Sequence, residues 1–160
     1  MMLLLKNIVF TLIVPGTVGV YLPLFLARDR AVAPGPWLVP ALCLLAVGGA
    51  VYAWCVWDFA TFGRGTPAPI DAPKRLVVRG LYRYTRNPMY LGVLTVILGW
   101  AALFQSSAVL YYALGFGVWF HLFVVLYEER RLTREFGAEY DDYRANVHRW
   151  LPRFRGRHTA

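Results

Sequence analysis

Four apolar stretches dominate this chain, at roughly residues 8–27, 37–57, 88–104 and 108–127. Most of them come close to the ~20 residues a helix needs to cross the hydrocarbon core of a bilayer. Inside lipid the backbone must satisfy its own polar groups, so runs of this kind fold as helices. The expected fold is therefore all-α: one polytopic membrane domain with four transmembrane helices. Composition points the same way, since 58% of the 160 residues are hydrophobic and only 16% charged, too apolar for a soluble domain of this size. Lys6 before the first stretch gives it the positive flank of a signal peptide. Its apolar run is longer than the ~7–15 residues of a signal core, which favours a retained span. Pro15-Gly16 and Pro23 are expected to kink it.

The basic residues orient the spans. Of 17 Lys and Arg, one precedes the first span, two lie in the 28–36 loop, six in the 58–87 segment and eight after residue 127. With four spans, the N-terminus, the long segment and the tail share one side, which then carries 15 of the 17. The positive-inside rule makes that side cytoplasmic, both termini included. A net charge of +8 with arginines flanking apolar spans fits anionic lipid headgroups better than nucleic acid, so the bilayer is the expected partner.

Between the spans, Ala33-Pro34-Gly35-Pro36 makes a turn, and Gly48-Gly49-Ala50 supplies small residues mid-span that let another helix or a ligand approach. Asp58 is expected to close the second span, and the cytoplasmic segment 58–87 is too long for a simple connection. Its Gly63-Arg64-Gly65 is a lone GxG, weak evidence for a nucleotide site, and without a preceding strand it invokes no dinucleotide-binding fold. Gln105-Ser106-Ser107 joins spans three and four as a tight hairpin. The cytoplasmic tail, 128–160, reads as an amphipathic helix from Glu128 to Val147, with Leu132, Phe136, Tyr140, Tyr143 and Val147 on one stripe. Gly137 weakens that helix by up to about 1 kcal/mol, Trp150-Leu151-Pro152 ends it, and basic residues 153–158 follow.

The stretch Leu81 to Gly92 carries the most chemistry. Arg79, Arg83 and Arg86 alternate with Tyr82, Tyr84 and Tyr90, and Asn87-Pro88 reads as a helix start, with Asn as N-cap and Pro in the first turn. Unpaired N–H groups and the positive end of the helix dipole beneath an arginine collar suit an anionic group at the membrane surface. Glu128-Glu129 stands where the fourth span leaves the lipid. Carboxylates there can accept from ribose hydroxyls, pair with an ammonium or with Arg86, or take a proton from an amine. His121 lies seven residues earlier on nearly the same face, placed to bond a neighbouring helix. Asp58 is expected to meet a collar arginine. Cys43 and Cys55 share one span, and neither a metal-ligand spacing nor a nucleophile with its base is visible. Such a chain binds and positions, leaving activation to a cofactor.

Arg86-Asn87-Pro88-Met89-Tyr90-Leu91-Gly92, a two-span hairpin and Glu128-Glu129 together resemble the signature of the isoprenylcysteine carboxyl methyltransferase and phospholipid methyltransferase superfamily. Leu132, Phe136-Gly137, Tyr140, Tyr143, Val147 and Pro152-Arg153 resemble the isoprenylcysteine branch, and Asn-Pro-Met-Tyr with Leu126-Tyr127-Glu128-Glu129 resembles the phosphatidylethanolamine N-methyltransferase branch. The resemblance implies S-adenosylmethionine as methyl donor, held on the cytoplasmic side between collar and tail, and a lipophilic acceptor, lipid-like or isoprenylcysteine-like. It implies catalytic roles for Arg86, Glu128 and Glu129. It also implies donor binding by Tyr82, Arg86, Asn87, Pro88, Tyr90, Gly92, His121, Glu128 and Glu129, with no metal. Arg86 or the helix start suits the donor carboxylate. Glu128 or Glu129 suits its ribose, and Tyr82, Tyr84 or Tyr90 its adenine or sulfonium. Asn87 replaces the histidine of the Arg-His-Pro form. Apolar Phe123-Val-Val-Leu-Tyr127 stands where the isoprenylcysteine enzymes are expected to carry a basic residue, which weighs against a prenylcysteine carboxylate. Two other readings compete: an NADPH-dependent membrane reductase of the sterol-reductase type, whose chains are much longer, and a non-catalytic membrane subunit.

Overall fold

The computed structural model describes residues 2–32, 34–63 and 75–152, with side chains from residue 8 in the first helix. Arg64-Gly65 of the GxG, Lys74 and the basic residues 153–158 lie outside the described residues. All regular structure among the described residues is helical: α1 (Met2–Gly16), α2 (Leu22–Leu26), α3 (Leu38–Asp58), α4 (Pro88–Leu103), α5 (Ser107–Phe123), α6 (Glu129–Phe136) and α7 (Ala138–Asn146). Single π turns at Thr17–Tyr21, Phe59–Gly63 and Val124–Glu128 extend or join these, and Gly80–Arg83 is a 3₁₀ turn.

Three continuous helices are long and apolar enough to cross a membrane: Ile8–Leu26, Leu38–Gly63 and Ser107–Phe136. The remaining apolar helix, α4, has 16 residues and is about 24 Å long at 1.5 Å per residue. It is also the most enclosed, burying Gly92, Val93, Ile97, Gly99, Ala101 and Leu103. Its main partner is α3. A Cβ built on Gly48 would stand 2.7 Å from the Gly92 carbonyl oxygen and 2.8 Å from the Val96 nitrogen. The two backbones thus approach as only small residues allow. Gly49 has no neighbour there, so one glycine of the pair makes the crossing. The other side of α4 meets α5 through the expected hairpin, where Ser106 caps α5 by accepting from the Val109 N–H.

The first span contains a π turn just beyond Pro15, at Thr17–Tyr21. Such a turn leaves carbonyls without ordinary helical partners, and neighbouring helices supply donors. Trp100 Nε1–H donates to the Gly19 carbonyl at 3.1 Å, and the Tyr112 hydroxyl to that of Val18 at 2.9 Å. These bonds satisfy polar backbone at membrane depth, as lipid requires.

Three expected boundaries shift. The second helix does not close at Asp58 but runs through a π turn to Gly63. Asp58, 1% exposed, turns inward to Arg79, 3.2 Å away. The fourth helix does not end at 127, because the Val124–Glu128 π turn carries it unbroken into α6. The tail is not one helix. At Gly137 the backbone takes φ +53°, ψ −126°, a conformation closed to most side chains but open to glycine. The chain turns there, and Leu132, Phe136, Tyr140, Tyr143 and Val147 close around Leu76 as a separate small core.

Candidate active site

The collar, the end of the fourth helix and the tail converge on Glu129. Arg86 Nη1 lies 3.0 Å from Glu129 Oε1. Arg149 grips the same carboxylate with both arms, Nε to Oε1 at 2.7 Å and Nη2 to Oε2 at 2.9 Å. Such bidentate charge-assisted bonds are the strong kind. Arg86 Nη1 also donates to the Tyr140 hydroxyl at 3.3 Å. One carboxylate against two guanidinium groups leaves positive charge in excess. Arg86 Nε is buried with no acceptor among the described residues. A buried donor without a partner is costly, and an arriving anion or carbonyl group would satisfy it.

The tail closes this site as a strap. The Arg86 N–H donates to the His148 carbonyl at 2.9 Å. The Thr85 hydroxyl and the Asn87 amide both donate to the Arg149 carbonyl, at 3.0 and 3.1 Å. Asn87 therefore occupies the N-cap position of α4 without capping it, contrary to expectation. Its side chain is committed to the strap instead. Farther along, Trp150 Nε1–H donates to His121 Nδ1 at 3.1 Å. The Tyr143 hydroxyl donates to the Tyr82 carbonyl at 2.7 Å. Burial raises the Tyr140 and Tyr143 hydroxyls above their ordinary value, so both stay neutral at physiological pH.

The adjacent glutamates part company. Glu128 Oε2 accepts from the Tyr90 hydroxyl at 2.7 Å, while Glu129 faces the arginines. Their partners line two different spaces. A cleft of about 360 Å³ opens on Arg86, Arg144, His148 and Arg149. A cavity of about 360 Å³ between the first, second, third and fourth helices is lined by Val14, Val18, Tyr52, Tyr90, Val93 and Phe120 among others.

Of the residues singled out in the sequence, Arg86, Asn87 and Glu129 come together at the strap, and Tyr90 and Glu128 pair beside the apolar cavity. Pro88 is buried at the start of α4 and Tyr82 beneath the strap. Gly92 packs against Gly48, and His121 engages the strap rather than Glu128. The intervening π turn adds a residue to the helical turn and removes the register that the seven-residue spacing implied. Arg149, Thr85 and Tyr140 were not singled out for this site. Arg149 stands just before the Trp150-Leu151-Pro152 stop, and only chain reversal at Gly137 brings it back to Glu129.

The family described as phospholipid methyltransferase matches residues 37–139, from the second span to the first turn of α7. Methanethiol S-methyltransferase 2 of Bradyrhizobium diazoefficiens is 38% identical over 73 residues, which cover 46% of this chain and 27% of that protein. The chain thus matches only about a quarter of its relative's length. No solved structure matches.

Proposed function

The chain belongs to the phospholipid methyltransferase family, and on that premise we propose that it is an integral-membrane methyltransferase dependent on S-adenosylmethionine. The proposed acceptor is lipophilic and enters from the bilayer. In the proposed topology α4 also crosses, as the third of four spans, both termini are cytoplasmic and the cleft faces the cytoplasm. The observation that carries the reading is the cleft lined by Arg86, Arg144 and Arg149, where the buried Nε of Arg86 has no acceptor among the described residues. The donor's carboxylate fits there, and its ribose hydroxyls suit Glu128 or Glu129 beside it.

The donor supplies an already activated methyl group. The chain's own task is then to hold donor and acceptor in line, which proximity and orientation can make worth several kcal/mol. Arg86 and Arg149 anchor the anionic end, and the strap through Thr85, Asn87 and His121 holds the cleft's wall. The apolar cavity orients the acceptor. The relative is named for a thiol acceptor, so a thiol belongs beside lipids and prenylcysteines in any acceptor screen.

Calorimetric titration of the detergent-purified protein with S-adenosylhomocysteine, with NADPH alongside, tests the reading. Saturable binding of the homocysteine analogue, weakened in Glu129→Ala, is expected. Binding of NADPH alone would move the chain to a reductase. Binding of neither by folded protein would make it a non-catalytic subunit.

A further inference from the structure

The apolar cavity has a lining that selects by charge. None of the eleven described residues that line it is Lys, Arg, His, Asp or Glu. Its polar side-chain atoms are the hydroxyls of Tyr52 and Tyr90 and the indole nitrogen of Trp119. The Tyr52 hydroxyl is engaged with Thr11 at 2.9 Å. The Tyr90 hydroxyl donates to Glu128 at 2.7 Å, and the adjacent Glu129 pairs with Arg86 and Arg149, which line the cationic cleft. A carboxylate, phosphate or ammonium lodged in this lining would be a buried charge without a partner, which costs several kcal/mol. An uncharged group pays no such penalty. Among protic nucleophiles a thiol is the easiest to bury, since it behaves as a small hydrophobe with a weak S–H donor. The volume, about 360 Å³, lies at the small end of ligand cavities.

We propose that the cavity takes a small uncharged acceptor of the thiol class, and that Tyr90 passes the acceptor's proton to Glu128. This deepens the methyltransferase reading and rests on it. A bond forms between the acceptor sulfur and the methyl carbon of a methylsulfonium donor. The bond from that carbon to the donor's sulfur breaks, and its electron pair leaves with the donor, which becomes a neutral thioether. The S–H proton moves to the Tyr90 oxygen as the Tyr90 proton moves to Glu128 Oε2. Tyr90, which lines the cavity, is then a catalytic residue, and Glu128 acts through it.

The test uses the full chain in lipid nanodiscs and two readouts. The first needs no turnover. An alkyl diazirine is photo-crosslinked to the protein, and the labelled residues are mapped by mass spectrometry in competition with hexanethiol, hexanoate or hexylamine. Hexanethiol is expected to protect Val93 and Phe120 at about tenfold lower concentration or less than the two charged compounds. Equal protection by all three, or protection only by added phospholipid, overturns the acceptor class.

The second readout is hexanethiol methylation by Tyr90→Phe and Glu128→Gln, with cavity labelling as the check on folding and binding. Both variants are expected to keep the wild-type labelling pattern and KM. Their kcat is expected to fall by on the order of 100-fold, as for loss of a general base. Wild-type kcat in Tyr90→Phe overturns the relay. If S-adenosylhomocysteine fails to bind while the labelling preference persists, the methyltransferase reading fails and the cavity's selectivity stands. If the homocysteine analogue binds and the preference is absent, this inference alone fails.

Discussion

Arg149 holds Glu129 with two nitrogens of one guanidinium across twenty residues of sequence, Nε at 2.7 Å and Nη2 at 2.9 Å. That fork ties the strap to the end of the fourth helix, and it fixes the carboxylate that Arg86 also touches. Arg149→Ala is expected to cost about 1.5–3 kcal/mol, the range for hydrogen bonds to charged groups. It should weaken S-adenosylhomocysteine binding by about tenfold or more. Arg149→Lys keeps the charge but not the fork and should fall between. Thermal unfolding in detergent and calorimetry read the two effects separately. Wild-type behaviour of both variants would remove Arg149 from the site.

Asn87 and Thr85 serve one acceptor, the Arg149 carbonyl. Either single alanine substitution leaves that carbonyl one donor, so each is expected to cost only about 1 kcal/mol. The double substitution leaves it none on this side, and the losses should exceed the sum of the singles. A double-mutant cycle on melting and on S-adenosylhomocysteine affinity measures the coupling. Strict additivity would mean that the two bonds act independently.

Gly48 and Gly49 are adjacent yet face different surroundings. Gly48→Ala would drive its Cβ into backbone, 2.7 Å from Gly92 O, where no side chain can swing away. A loss of about 1–3 kcal/mol is expected, the usual cost of overpacking. Gly49→Ala meets nothing within 4 Å and should stay within about 0.5 kcal/mol of wild type. Melting curves of the two single variants decide, and equal effects would count against the α3–α4 crossing described here.

The apolar stretches announced the helices because hydrocarbon length and backbone satisfaction leave little choice. The arginine collar and Glu128-Glu129 stood out for the related reason that charge beside a span is costly. Local pattern could not reveal the three π turns; at Thr17–Tyr21 the carbonyls of Val18 and Gly19 find donors in Tyr112 and Trp100 from other helices. Nor did it show that Asn87 would abandon its cap. That choice depends on Arg149, 62 residues away, returning to meet it. The break at Gly137 was visible as a weak helical residue. Its real consequence, the reversal that builds the strap, comes from the tyrosine stripe finding Leu76 instead of continuing along one axis.

The proposed topology turns on α4, whose 16 residues make about 24 Å against a hydrocarbon core of about 30 Å. Its burial among neighbouring helices lets it be short, since its ends need not reach lipid-exposed depth unaided. If it crosses, Ser107 at the start of α5 lies on the same side as Ala31, and Ala145 in α7 lies opposite. Single cysteines at these three positions, in a Cys43→Ala background, can be probed with a membrane-impermeant maleimide in sealed right-side-out vesicles. Ala31→Cys and Ser107→Cys are expected to label at once, and Ala145→Cys only after permeabilisation. Native Cys55, fully buried, should stay silent in folded protein. Labelling of Ala145→Cys at once, with Ser107→Cys silent until permeabilisation, would instead make α4 a re-entrant helix that turns back within the membrane, and the chain would then cross three times.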